Sequence, residues 1–264
     1  MRFSSGATIC SSTGLNLVPS SGQRIFRVAK TTFGALNPPP RVPGGTPVQD
    51  WSRWDTLGRT IYGASSAAGA FVEVLEYIRA DPPAIPLSEL FDDVGPEDAA
   101  TFAEQVAREL PAHGGMLYRS IPQDWRQTRS LYELAMPEDG WFVDVTGAES
   151  VSVISRELGP TLLAQCGIGQ LTLSELTSSS EEFKELTTGI ATWVRNSVLE
   201  DGDRPHGIVY PSKWGSTLDN WAMWLRRADD GTGVDPVALI ETSDIGRHTK
   251  PFVEAAKLRG MRIY

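Results

Sequence analysis

Five side chains with no metal-ligand pattern carry the chemistry of this sequence: Arg27, Arg53, Tyr62, Glu73 and Ser212. Arginine forks hold phosphate oxygens through paired N–H bonds, and an aromatic ring stacks on a flat leaving base. A carboxylate stabilises an oxocarbenium-like sugar and accepts from its hydroxyl. Together these groups suit cleavage of an N-glycosidic bond beside a pyrophosphate. The base leaving a nicotinamide dinucleotide is already cationic and needs no general acid, which fits a set with no catalytic histidine or acid pair. Each residue also has a plainer reading. An arginine on the apolar side of a strand, as Arg27 is, commonly snorkels or pairs with a carboxylate. Arg53 lies between Trp51 and Trp54, where it either stacks for structural reasons or lines a phosphate or base pocket. Periodicity alone puts Glu73 on a solvated helix face.

The element that must position Glu73 is the stretch 60–77, TIYGASSAAGAFVEVLEY. Thr60, Ile61 and Tyr62 favour an extended chain, Gly63 allows a turn, and Ser65 or Ser66 caps a helix. Ala67, Ala70, Phe71, Val74 and Ile78 recur at helical spacing and form its buried face, with Glu73 on another side, and Asp81-Pro82-Pro83 stops it. Arg27 sits in an alternating strand over 24–29. The proline- and glycine-rich stretch 34–50 reads as a long loop walling a cleft. Further along, the pattern predicts an acidic helix around 97–110 capped at His113, strands over 116–121, 131–135 and 140–146, and a strand or short helix over 149–158. A helix follows from about 181 to 199, then strands over 207–212 and 220–225. The segment 237–264 reads as strand, helix and terminal strand. Residues 1–22, rich in Ser, Gly and Thr, read as a flexible N-terminal arm, and 23–264 as a single domain.

A chain of 264 residues, 41% hydrophobic and 22% charged, can bury a sizeable core without staples. Its two cysteines, Cys10 and Cys166, lie far apart without metal-ligand spacing, so no disulfide framework or zinc site is expected, and a reducing cytoplasm is. No apolar run approaches the ~18 residues of a membrane span, and the start of the chain does not read as a signal peptide. A net charge of -9 argues against nucleic acid as a partner. P-loop, dinucleotide-fold, HExxH, CxxC and GxSxG signatures are all lacking. Ser212 and His206 stand at opposite ends of one expected strand, which disfavours a Ser–His nucleophile.

The chain resembles the RES-domain family, named for an Arg, a Glu and a Ser, whose members are NAD-degrading toxins of bacterial toxin–antitoxin pairs. The resemblance lies in IFRVA with Arg27, RWDTLGRTIYGASSAAGAFVEVLEY with Arg53, Tyr62 and Glu73, FVDVT, and GIVYPSKWGSTLDNWAMWL with Ser212. It covers about residues 23–225. The family's Gly-Arg-Trp-Asn-Pro pattern is here Ser52-Arg53-Trp54-Asp55-Thr56, and 82–112 is added material. The resemblance implies an α+β fold with a mixed, split β core like that of ADP-ribosyltransferases, with NAD as substrate and no metal. It implies that Arg27 and Arg53 contact the dinucleotide, Tyr62 flanks the nicotinamide, Glu73 acts on the adjoining ribose and Ser212 supplies a polar contact. A protein antitoxin is the implied partner. The expected activity is therefore NAD glycohydrolase or phosphorylase, with transfer of ADP-ribose to a macromolecule, or nucleotide or sugar binding without catalysis, as alternatives.

Overall fold

Apolar alternation makes Arg24–Lys30 a strand (β3), with Ile25 and Val28 buried on opposite faces and the charged ends exposed. In the computed structural model, which describes residues 6–78, 85–95, 101, 104–105, 119–178, 180–231 and 235–264, it lies in a nine-stranded mixed sheet. The other members are β1 (Thr8–Ile9), β2 (Asn16–Pro19), β4 (Thr60–Ala64), β6 (Arg129–Ala135), β7 (Trp141–Asp144), β8 (Gly207–Ser212), β9 (Gly215–Trp224) and β10 (Ala238–Asp244). Their order is β1-β2-β7-β8-β9-β4-β3-β6-β10. Within this sheet, among the described residues, only β7 and β8 pair in parallel. A separate parallel pair joins β5 (Ser120–Ile121) to β11 (Arg262–Ile263).

The sheet is divided at its centre. β4 pairs with β9 along its whole length and β3 with β6 along its own, yet β3 meets β4 at the single pair Phe26–Ala64. Gly63 belongs to β4 rather than to a turn, and what it supplies is closeness. A Cβ there would stand 3.2 Å from both Ile25 Cδ1 and the Phe26 carbonyl oxygen, tighter than ordinary contact, so that a neighbour on β3 would have to give way slightly.

One face of the sheet is covered by helices. The helices α2 (Ala148–Leu158) and α3 (Lys184–Asn196) pack Ile154, Leu186, Ile190 and Val194 on Leu17, Val143, Ile208 and Trp224 of one wing. Over the other, α1 (Ala67–Val74) and α4 (Lys250–Leu258) bury Phe71, Phe252 and Ala255 with Val28. The opposite face closes on itself: Ile25, Tyr132 and Leu134 of one wing cluster with Phe142, Val209, Trp221 and Met223 of the other. The arrangement is mixed α/β, compatible with the expected α+β class. Among the described residues, no helix is long and apolar enough to cross a membrane.

Residues 1–22 are not a loose arm in their described part. Cys10, Leu15 and Leu17 are buried, β2 pairs with β7, and Asn16 exchanges two 2.9 Å hydrogen bonds with Ser150. Burial of alternating apolar residues outweighs the Ser/Gly composition around them. The stretch 149–158 is helical, and 237–264 forms strand, helix and strand as its pattern predicts. The stop at 81–83, most of the helix expected around 97–110, and His113 lie outside the described residues.

Candidate functional site

Where the wings part, a cavity of about 430 Å³ opens under α1. Arg27 of β3 and Tyr62 of β4 line it from the two wings, Glu73 from α1, Arg53 from the loop before β4, and Tyr210 and Asn220 from β8 and β9. α1 begins where Ser66 accepts from the Gly69 amide at 3.0 Å, which fixes the turn that delivers Glu73 two turns later.

Arg27 donates through Nη1 to the Tyr62 carbonyl at 3.1 Å, across the division between the wings, while its Nε is buried without a hydrogen bond. Burial pulls its pKa down to about 10, against smaller opposing effects of Tyr132 and Tyr62, so it remains charged at neutral pH. Arg53 lies on the Tyr210 ring at 4.8 Å and donates to the carbonyls of Thr177 at 2.5 Å and Leu176 at 3.2 Å. Among the described residues neither guanidinium has a carboxylate partner.

Glu73 is held from behind. Its Oε1 accepts from Ser212 Oγ and, at 2.9 Å, from Asn220 Nδ2. Ser212 Oγ in turn accepts from the Trp214 amide at 3.0 Å. Ser212 is buried and is not among the residues lining the cavity, and its hydroxyl is committed to the carboxylate. Tyr62 lines the cavity with its hydroxyl already engaged. Its hydroxyl donates to Asp55 Oδ1 at 2.8 Å and accepts from the Trp54 amide at 3.1 Å, leaving the ring as what it offers a ligand. Burial, reinforced by Asp55, pushes the Tyr62 pKa well up.

Asp55 is a hub that the sequence reading passed over. Besides Tyr62 it takes Arg41 Nε at 2.8 Å and the Ser52 amide at 3.0 Å, fixing the loop that carries Arg53. An aspartate three residues after a serine in a Pro/Gly-rich stretch was the available signal. Asn220 was also missed, although an amide opening the apolar run Trp221 to Leu225 stands out. At the rim Lys213 pairs with Glu76, and Lys184 Nζ donates to the Trp51 carbonyl at 2.8 Å. Burial, followed by repulsion from Arg53, lowers the Lys184 pKa. His206 takes no part: its Nε2 lies 3.2 Å from the Asp139 carbonyl, and its ring is against Phe142.

No significant match was found among family models, curated proteins or solved structures. The chemistry must therefore be argued from the cavity. An anchored carboxylate, two arginines that make no ion pair among the described residues, and two aromatic rings share one wall system, which Asp50, Glu76 and Glu181 also line. That combination suits a ligand with an anionic part and a part that becomes cationic during reaction.

A second cavity, of about 460 Å³, is lined by Arg41, Arg59, Arg195, Asp229 and Asp230 among others.

Proposed function

We propose that the protein consumes NAD by breaking the bond between nicotinamide and its ribose, passing ADP-ribose to water or phosphate. The observation that carries this reading is Glu73, anchored by Ser212 and Asn220 on the wall of a cavity that also holds Arg27 and Arg53, neither in an ion pair among the described residues. In this reading the arginines take the pyrophosphate, and Tyr62 and Tyr210 supply flat surfaces for the nicotinamide end. As the bond lengthens, positive charge moves from the ring nitrogen onto the ribose, and the nearby carboxylate stabilises it. Nicotinamide leaves neutral, so no acid is required. The cavity volume falls within the ~300–1,000 Å³ typical of small-molecule sites.

The likeness to the RES family and to the ADP-ribosyltransferase fold belongs to the same proposal, and the single Phe26–Ala64 pair between the wings supports it. So does action as a bacterial cytoplasmic toxin with a protein antitoxin as partner, which rests on the sequence resemblance. Incubation of the purified protein with NAD, with and without phosphate, tests the activity. Free nicotinamide with ADP-ribose or its 1″-phosphate is expected. An undiminished NAD pool over a folded sample would overturn catalysis, and calorimetric binding alone would mark a binding module.

A further inference from the structure

Asn220 is 3% exposed, lines the cavity, and uses only half of its amide. Nδ2 donates to Glu73 Oε1 at 2.9 Å, while Oδ1 is buried and has no hydrogen-bond partner among the described residues. The amide orientation is dictated by chemistry, because a carboxylate can only accept and must face the NH2 group. Oδ1 is then fixed as an acceptor. Buried acceptors left unpaired are costly, so one that borders a cavity is a site for a donor brought by a ligand. On the carboxylate, both protein donors meet Oε1, and Oε2 carries no hydrogen bond among the described residues. Two neighbouring side chains thus carry one acceptor each that is unpaired among the described residues, one charged and one neutral and buried, held together by the bond between them.

We propose that Asn220 Oδ1 and Glu73 Oε2 read a vicinal diol, each accepting from one hydroxyl, and that Asn220 thereby selects ribose over deoxyribose beside the scissile bond. This rests on the NAD-cleaving reading of the site and adds a contact residue to it. Neighbouring hydroxyls on a furanose donate in roughly the same direction, which suits two acceptors fixed side by side. The anchoring bond gives Asn220 a second effect, since a diol bound to Oδ1 also holds the amide against Glu73.

Calorimetric titration with nicotinamide mononucleotide, which carries a single ribose, and with its 2′-deoxy and 3′-deoxy forms tests this. For the unmodified protein, each deoxy form is expected to bind about tenfold more weakly than the parent. For Asn220→Leu, one of those two losses should vanish, because the hydroxyl no longer has its acceptor. Equal binding of all three ligands by the unmodified protein would overturn the diol proposal while leaving the NAD reading intact. Persistence of both losses in a folded Asn220→Leu protein would remove Asn220 from the contact. Failure of the unmodified protein to bind either the mononucleotide or NAD would overturn both readings together.

Discussion

The two cavities, one lined by Tyr62 and the other by Arg41, both bonded to Asp55, are nearly equal in size, about 430 and 460 Å³, and both contain arginines, but their charges are handled differently. In the second, Arg59 Nη1 pairs with Asp229 Oδ1 at 2.9 Å, and Arg195 Nη2 lies 3.6 Å from Asp230 Oδ2. Arg195 Nη1 also donates to Thr56 Oγ1 at 2.8 Å and the Leu57 carbonyl at 2.9 Å, tying α3 to the loop before β4. In the first, Arg27 and Arg53 meet backbone carbonyls, which satisfy N–H groups without cancelling a full charge. Both recesses also hold carboxylates, Asp50, Glu73, Glu76 and Glu181 in the first, so the contrast lies in pairing: the guanidinium groups of Arg59 and Arg195 are tied to acids, and those of Arg27 and Arg53, among the described residues, are not. Volume alone would rank the two equally.

Breaking the catalytic half of this contrast should have the largest effect. Glu73→Gln preserves volume and an acceptor for Ser212 and Asn220 but removes the charge, so NAD turnover should fall at least ~100-fold while thermal melting barely moves. Full activity would return Glu73 to the status of a solvated helix residue. Next, Arg27→Met should weaken ADP-ribose binding about 10- to 100-fold by calorimetry, the worth of a charge-assisted bond, whereas Arg59→Met should leave it unchanged. Equal losses from the two substitutions would erase the distinction between the cavities.

The reverse experiment is Asp229→Ala, which strips compensation from the second cavity. Because Asp229 serves Arg59 and the Arg59 amide, and lies near Arg195, denaturant unfolding should show a loss of about 3 kcal/mol. NAD turnover at 25 °C should stay within about twofold of normal. The smallest effect is in pH. With its pKa lowered to about 10, Arg27 is protonated and able to hold an anion below that value and loses this as pH rises through it. ADP-ribose affinity should be level from pH 7 to 9 and decline toward pH 10, and the Arg27→Met protein should lack that decline. The same slope in both proteins would assign it to another group.

Local pattern was enough to locate β3, the start of α1, β8 and the C-terminal strand–helix–strand through their apolar periods, but α1 ends at Val74 and a tight 3-10 turn over Leu75–Tyr77 leaves Ile78 extended, short of the expected helical face. It failed for β2, where Leu15, Leu17 and Val18 are embedded in Ser, Gly and Thr and gain their order from β7 and α2. Among the site residues, Glu73 is the instructive case. Helical periodicity removes it from the core stripe, and solvent is then the natural destination. Its actual partner, Ser212, is 139 positions away on β8, a pairing that no local rule supplies. The resemblance brought Arg27, Arg53, Tyr62 and Glu73 to one cavity in outline, yet not the division of labour within it. That Ser212 and Asn220 grip one oxygen, and that the Tyr62 hydroxyl belongs to Asp55, depends on rotamers and strand register fixed by the whole sheet.

The contrast between the cavities is tested most directly by a crystal structure of the Glu73→Gln protein with NAD, where slowed turnover preserves the dinucleotide. The expected density lies in the cavity between the wings, with the pyrophosphate on Arg27 and Arg53 and the nicotinamide ribose against residue 73 and Asn220. Dinucleotide density among Arg59, Arg195 and Asp229 instead, or an empty cavity between the wings at saturating NAD, would contradict the account.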